Sequence, residues 1–265
     1  MTTVWLMYHD VYEQAPRPGV PASASSYHVS RQMFADHLAR IAGSGAQVVT
    51  PDAVVVDATA APGVVLTFDD GWIGGFDIAV PMLLARGWRA TFYVTRDFIG
   101  RQHFCTAATL RAAADAGMEI GVHGVTHRML SACTRPEVVA EFRECRQALE
   151  DLLGRPVRHA SVPGGDYTAT IVACAQEAGL ASLANSRPGL NRGPASPFDI
   201  RRLAVKATTP PADVERWCRL DVGREHTRWA ILEVPRAVLG MKTYSRLRRV
   251  VLGERGHSAQ EVFKP

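Results

Sequence analysis

Short apolar segments alternate with helical patterns along most of this chain, and this alternation limits its possible folds more than any other feature. Gly63–Phe68, GVVLTF, is a continuous apolar run typical of a strand buried in a parallel sheet. The predicted strands are Val4–Tyr8, Gly63–Phe68, Ala90–Val94, Met118–Val122, Val157–Val162, Ala181–Ala184 and Arg202–Val205. The predicted helices are Arg31–Gly43, which follows Ser30, then Phe76–Arg86, Ala107–Ala116 and Arg135–Leu153. This order predicts βαβ units and an α/β fold.

The composition is that of a soluble globular protein. The 265 residues are 47% hydrophobic and 21% charged, which is enough for a core without disulfides or a structural metal. No repeat, low-complexity tract or Gly/Ser linker divides the chain. We therefore expect a single domain whose last part is mostly helical.

Several features indicate a cytoplasmic protein. No apolar run reaches the roughly 18 residues that cross a bilayer. The N-terminus, MTTVWLMYHDVYEQ, lacks the basic region, long apolar core and cleavage site of an export signal. The five cysteines form no CxxC pair, and their odd number suits reduced thiols. The net charge of +4 is too small to imply nucleic-acid binding.

Polar or glycine-rich groups follow four of the predicted strands. They are His9, Asp69-Asp70, His123 and Pro163–Gly165. Parallel α/β folds bind their ligands at the carboxyl ends of the strands, so these groups are expected to lie on one face. The sequence therefore predicts a functional site at this face.

The segment HGVTH places His123 and His127 four residues apart. In a helical turn this spacing puts both imidazoles on one face, as in metal chelation. Two imidazoles and one carboxylate of the Asp69-Asp70 pair would leave positions open for water and substrate. Each pattern alone has a simpler interpretation: two unrelated histidines on a helix, and a capped or solvated turn. Their occurrence together favours a metal site.

These segments resemble the polysaccharide deacetylases of carbohydrate esterase family 4, which share the nodulation-deacetylase homology domain. TFDDG at Thr67–Gly71 is similar to the first motif of that family. HGVTH at His123–His127 is similar to the second, H[ST]xxH, with Gly124 at the usual Ser/Thr position. The resemblance covers residues 1–205 and implies a deformed (β/α)7-type catalytic barrel. Residues 206–265 are then expected to form a mostly helical extension packed on or beside it.

The resemblance also implies roles for individual residues. Asp69 would be the general base that takes a proton from water. Asp70, His123 and His127 would bind one divalent metal, expected to be zinc, with Co²⁺, Ni²⁺ or Fe²⁺ as alternatives. The backbone N–H of Gly164, in the SVPGG counterpart of the third motif, would help to stabilise the oxyanion.

The chain departs from the family pattern at two places. Ser161 stands where the family has an arginine that pairs with the base. Without that cation the carboxylate of Asp69 is expected to be tuned differently, unless Arg201 or Arg202 supplies the charge from another strand. The late Leu-x-His motif, whose histidine protonates the leaving amine, has no match after residue 205, because His226 lacks the preceding leucine and strand. LMYHDV at the N-terminus instead resembles circularly permuted members of the family, which makes His9 the expected general acid. The alternative is that His9 only caps a strand end.

The sequence therefore predicts a metal-dependent deacetylase that acts on an N-acetylated amino sugar of an intracellular glycan precursor or glycosylated metabolite. The residues predicted to bind substrate are Trp72, Asp166, Tyr167 and Arg202. For Trp72 the alternative is a core tryptophan. Two other functions stay open: a deformylase or other amide hydrolase, and a catalytically silent binding protein, since the family arginine and late histidine are missing.

A basic segment near the C-terminus gives a further expectation. Arg236–Arg255 contains six Lys or Arg residues and one acid, Glu254, and its apolar residues partly share one helical face. It either packs against the barrel or contacts a phosphorylated, nucleotide-linked or lipid-linked substrate, or an anionic membrane surface.

Overall fold

The protein forms one curled parallel sheet surrounded by helices. The structure is a computed structural model that describes residues 2–56, 63–165, 167–193 and 196–231. Its strands are β1 (Thr2–Tyr8), β2 (Asp10–Tyr12), β3 (His28–Ser30), β4 (Gln47–Val48), β5 (Gly63–Phe68), β6 (Thr91–Val94), β7 (Glu119–Val122), β8 (His159–Ser161), β9 (Ser182–Ala184), β10 (Asn191–Arg192) and β11 (Leu203–Ala204). The main sheet runs in the order β1-β5-β6-β7-β8-β9, and neighbouring strands in it are parallel.

The sheet closes into the deformed (β/α)7-type barrel that was predicted. Strand β11 is parallel to β1, with Leu6 opposite Leu203. Just before β11, Ile200 forms a parallel bridge to Ala184 at the end of β9. The segment 200–204 therefore joins the two edges of the sheet, and β1 lies between β5 and β11.

The helices pack around the outside of the barrel. They are α1 (Ala22–Ser25), α2 (Arg31–Gly43), α3 (Pro51–Val56), α4 (Val80–Leu84), α5 (Ala107–Asp115), α6 (Arg135–Leu153), α7 (Ala169–Glu177) and α8 (Pro211–Cys218). The bounds predicted for α6 are confirmed, because a capping box between Thr134 and Glu137 begins it and Gly154, with φ of 66°, ends it.

The single helix predicted over Phe76–Arg86 is wrong in its first half. The chain makes a π-helical turn over Gly75–Ala79, and only Val80–Leu84 is α-helical. Pro81 has no N–H to donate to the carbonyl four residues earlier, and the N–H of Val80 instead reaches back to Gly75.

Successive side chains of each strand point to opposite faces of the sheet, so the strands contribute to two apolar clusters. Val4, Leu6 and Tyr8 of β1 face the helices and belong to the main core. The opposite face of the sheet carries a smaller cluster inside the barrel, which consists of Trp5, Val65, Tyr93, Ala184 and Ile200. Asp69 follows Val65 by an even number of residues, so this inner face also leads to the predicted site.

The described part of the C-terminal extension packs on the barrel. Val214 and Trp217 of α8 are buried in the main core, and Arg40 of α2 forms an ion pair of 2.9 Å with Glu215. The chain is helical again over 223–231. The boundary at residue 205 stays a prediction, and the basic segment Arg236–Arg255 lies outside the described residues. In the described ranges, no helix has both the length and the apolarity that a bilayer crossing needs.

Candidate active site

The carboxyl ends of β1, β5 and β7 open into one cleft of about 410 Å³. His9 follows β1, Asp69 and Asp70 follow β5, and His123 follows β7. The register of the parallel strands places these ends side by side, because Tyr8 pairs with Phe68. The site predicted from the strand ends is therefore assembled in the structure.

Asp70, His123 and His127 bring three ligand atoms to one point. The Oδ1 atom of Asp70 lies 3.2 Å from Nε2 of His123 and 3.0 Å from Nε2 of His127. This oxygen is buried and has no hydrogen-bond partner among the described residues. An unsatisfied carboxylate oxygen between two imidazole nitrogens is the donor set that a divalent metal such as zinc binds, so the residues fit the predicted metal.

The electrostatics of these three residues agree with a cation site. Burial raises the pKa of Asp70, but the neighbouring histidines outweigh it and hold that pKa well below its usual value. Burial lowers the pKa of His127, whereas Asp70 reverses this effect and raises it. Asp70 therefore stays ionised, and its negative charge requires a positive charge beside it. A bound divalent metal would supply this charge in place of protons on the histidines.

The two histidines do not meet through a helical turn, so that prediction is wrong. The chain after β7 is irregular, with φ of 78° at Gly124 and 61° at His127. These left-handed conformations bring the two imidazole rings to a centroid distance of 5.1 Å. Because φ is positive at Gly124, glycine suits this position better than the serine or threonine of the family motif.

Trp72 lines the cleft from a buried position beside Asp70. Asp70 and Gly71 have φ of 74° and 93°, and this tight turn directs Trp72 inward, where it is 1% exposed. Its Nε1–H donates to Oδ2 of Asp70 at 2.9 Å. Its ring packs on Phe104 at 4.4 Å. Trp72 is thus both a cleft-lining residue and a packed tryptophan, and its stacking on a sugar stays a prediction.

Arg202 supplies the positive charge expected beside Asp69. Its two terminal nitrogens each donate to one carboxylate oxygen of Asp69 at 2.7 Å. Arg202 is fully buried, its Nε–H donates to the carbonyl of Asn185, and its guanidinium lies over Tyr93. The assignment of Arg202 as a substrate-binding residue is therefore wrong, because it does not reach the cleft.

The environment of Asp69 keeps its carboxylate ionised. Burial raises the pKa of Asp69, but Arg202 and His123 outweigh it, so the pKa lies below its ordinary value. Ser161, at the position of the family arginine, links this carboxylate to the metal ligands: its hydroxyl lies 2.6 Å from Nδ1 of His123 and 3.5 Å from Oδ1 of Asp69. An ionised, oriented carboxylate next to a metal site has the properties of a general base.

A sequence profile of the family described as Polysaccharide deacetylase matches residues 57–183. The chain carries a polysaccharide deacetylase domain. It is 23% identical to YxkH of Bacillus subtilis over 205 residues, which are 76% of this chain and 70% of that protein. It is 34% identical over 127 residues to the chitooligosaccharide deacetylase of Sinorhizobium fredii, and this match spans 47% of the chain and 57% of that enzyme.

The fold of the deacetylase domain is shared with solved structures. The deacetylase PplD of Streptococcus pyogenes superposes with a TM-score of 0.72 at 20% identity, over 81% of this chain and 96% of that one. This likeness supports the barrel. The circular permutation suggested by LMYHDV stays a prediction.

His9 lines the same cleft as Asp69 and Asp70. It is half-buried, its Nδ1 has no hydrogen-bond partner among the described residues, and its ring lies 4.8 Å from that of Tyr27. Burial lowers the pKa of His9 and outweighs the opposite effect of Asp70 and Asp69. Once protonated, His9 is therefore a stronger acid than an exposed histidine.

The remaining predicted site residues are Gly164, Tyr167 and Asp166. Gly164 lines the cleft with φ of 66°, a left-handed conformation that favours glycine, and an added Cβ would displace the flexible side chain of Met129. Tyr167 does not line the cleft: its hydroxyl donates to the carbonyl of Phe198 and Arg187 stacks on its ring. The substrate-binding assignment of Tyr167 stays a prediction. Asp166 lies outside the described residues.

Three residues at the site were not predicted from the sequence: Tyr27, Lys206 and Glu141. Tyr27 and Lys206 form part of the cleft wall, with Nζ of Lys206 5.5 Å from the tyrosine ring. Glu141 of α6 binds the loop that carries His127. A signal for Glu141 was present, because it falls among the apolar residues Val138 and Phe142 on the buried face of a predicted helix.

A second cluster of titratable groups lies at the opposite end of the barrel. Nε2 of His159 is 3.0 Å from Asp52 and 3.1 Å from Glu119, and its Nδ1 lies 2.7 Å from the hydroxyl of Ser182. Burial lowers the pKa of His159, but the two carboxylates outweigh it and raise it. The imidazole and the two carboxylates form an ion-pair network, and the same three residues are a second group that could hold a cation.

Proposed function

We propose that this protein is a metal-dependent deacetylase that removes the N-acetyl group from an amino sugar. One observation carries the proposal: the unsatisfied Oδ1 of Asp70, between His123 and His127, lies in the same cleft as the arginine-bound carboxylate of Asp69. Zinc is the proposed metal. When bound, it would act as a Lewis acid toward water and the acetyl carbonyl.

Residues of the chain would handle the protons of the reaction. Asp69 takes a proton from the attacking water, and Arg202 keeps its carboxylate ionised and in place beforehand. The backbone N–H of Gly164 faces the developing oxyanion. As the bond between the acyl carbon and nitrogen breaks, His9 donates a proton to the nitrogen, and acetate and the free amine leave.

Replacement of His9 by alanine tests the general acid. We expect kcat for acetate release to fall about 10² to 10⁴-fold, while bound metal is unchanged, because His9 is not a ligand. His226→Ala is the matched control, since His226 is exposed on the helix over 223–231 and should leave both quantities at the parent values. Normal turnover in His9→Ala would overturn the assignment.

A panel of amides tests the acyl group. The parent, loaded with zinc, is expected to release acetate from N-acetylated chitooligosaccharides and from N-acetylglucosamine derivatives. Formate release from N-formyl analogues alone would favour the deformylase. No release of either acid by fully metal-loaded protein would favour the silent binding protein, for which the described residues offer no specific support.

We further propose that the sugar carries an anionic group, such as a phosphate in a nucleotide or lipid linkage. Lys206 is the one lysine or arginine among the described residues that line the cleft, and it forms no ion pair with any described carboxylate. Its exposed ammonium, beside Tyr27, is suited to bind an anion next to a sugar ring.

Replacement of Lys206 by alanine tests this charge preference. We expect KM to rise about 10-fold for a nucleotide-linked N-acetylglucosamine, with little change for the neutral methyl glycoside. Lys206→Arg should keep the preference. Equal effects on both substrates would contradict a charge-selective role.

We also propose that the substrate is intracellular. All five cysteines are free thiols in the structure, and four of them are buried. This supports, as the sequence did, a protein that works in the reducing cytoplasm. Cell fractionation that found the protein outside the cytoplasm would contradict this part.

A further inference from the structure

Glu141 makes an unusually complete set of contacts with the loop between β7 and α6. It is 2% exposed and lies in the middle of α6. Its Oε2 accepts the backbone N–H groups of Val125 at 2.6 Å and Thr126 at 3.0 Å. Its Oε1 accepts the Thr126 hydroxyl at 2.6 Å and Nε–H of Arg128 at 2.9 Å. The donors of these four hydrogen bonds belong to Val125 and Thr126, which precede the proposed metal ligand His127, and to Arg128, which follows it.

The two imidazole ligands are held in different ways. Nδ1 of His123 has a partner, the hydroxyl of Ser161 at 2.6 Å. Nδ1 of His127 is buried and has no hydrogen-bond partner among the described residues. Imidazole ligands generally depend on a partner at the second nitrogen for their orientation. His127 lacks that partner, so its position depends on its backbone, which adopts φ of 61°.

Gly124 shows that the loop and Glu141 fit each other closely. A Cβ added to Gly124 would lie 3.0 Å from Oε2 of Glu141, and φ at this residue is 78°. The hydroxyl-bearing residue of the similar family motif would therefore meet the carboxylate. In this chain the carboxylate occupies that space and binds the loop directly.

We propose that Glu141 is the positioning residue for the metal ligand His127. It acts through the backbone of residues 125–128, in place of a hydrogen bond to the imidazole. The inference rests on the proposed metal site and adds a residue outside it. It predicts that the charge and both oxygens of Glu141 are needed for metal affinity, because glutamine offers only one oxygen to two sets of donors.

Metal binding by the full-length chain tests this inference. Glu141→Gln is expected to weaken Zn²⁺ affinity about 10- to 100-fold in a chelator competition. The visible spectrum of the Co²⁺-loaded variant is expected to change, since it reports ligand geometry. Glu144→Gln is the matched control, because Glu144 is exposed on the same helix and pairs only with Arg96 among the described residues.

Each outcome bears on the inference. Parental Zn²⁺ affinity and an unchanged Co²⁺ spectrum in Glu141→Gln, with only a lower melting temperature, would show a purely structural role and overturn it. If Glu141→Gln does not fold, Thr126→Val decides, because it removes one of the four bonds: several-fold weaker Zn²⁺ binding supports the inference and parental binding overturns it. Absence of metal binding by the parent itself would instead refute the proposed function.

Discussion

Replacement of both His123 and His127 by alanine is expected to reduce the bound divalent metal from about one equivalent to almost none. The pair supplies two of the three converging ligand atoms, and Asp70 alone offers a single carboxylate oxygen at this point. Elemental analysis of purified protein, after loading with Zn²⁺ and dialysis, measures the effect. Acetate release is expected to disappear in the same variant.

The cluster around His159 provides the control for this experiment. His159→Ala is expected to keep about one equivalent of metal, because the proposed site of Asp70, His123 and His127 lies at the other end of the barrel from the cluster of His159, Asp52 and Glu119. Loss of metal from His159→Ala, with retention in the double variant, would move the metal site to that end. No metal in the parent, even after loading, would favour the silent binding protein.

Replacement of Arg202 by methionine is expected to lower the free energy of unfolding by about 3–5 kcal/mol and kcat by at least about 10²-fold. Both members of the pair are buried, so removal of Arg202 leaves the Asp69 carboxylate without a compensating charge. Urea unfolding and acetate release measure the two effects. Arg201→Met, one residue away and only half-buried, should change stability by less than about 0.5 kcal/mol.

A double variant separates stability from catalysis. Asp69→Asn with Arg202→Met removes both charges and is expected to recover much of the lost stability while activity stays absent. Equal stability of the parent and Arg202→Met would contradict the importance of this pair.

The effect of Arg202→Met on stability should depend on pH. In the parent the pKa of Asp69 is below its ordinary value, so the pair contributes fully above about pH 3.9 and loses its contribution as the pH falls further. In the variant, burial acts without Arg202 and raises the pKa of Asp69, so this residue takes up a proton on acidification. The difference in unfolding free energy is therefore expected to be larger at pH 8 than at pH 5.

Local sequence signals were sufficient for the alternation of strands and helices and for the set of groups at the strand ends, whereas the barrel was implied by the resemblance to the deacetylase family. The α6 helix has its capping box and terminal glycine in its own sequence, and GVVLTF has the composition of a buried strand. The sequence left open whether either of the adjacent residues Arg201 and Arg202 supplies the positive charge beside Asp69. Which of them points inward depends on strand register, and register is set by long-range pairing such as Leu6 with Leu203.

One incorrect prediction shows how strongly the position of a side chain after a strand depends on the next few φ angles. Positive φ at Gly124 and His127 replaces the helical turn that was expected between the two histidines. Contacts between distant segments, such as Glu141 with the His127 loop, are equally invisible to local periodicity.

The position of β1 between β5 and β11 has a consequence for the order in which a newly made chain becomes active. His9 emerges from the ribosome nearly 200 residues before Arg202 and the strand that closes the barrel over β1. Until Arg202 has been synthesised, the arginine that balances the charge of the buried Asp69 carboxylate is missing. The active site is therefore complete only after Arg202 and β11 have been synthesised. Ribosome-bound chains that stop short of residue 200 should remain inactive and prone to aggregate.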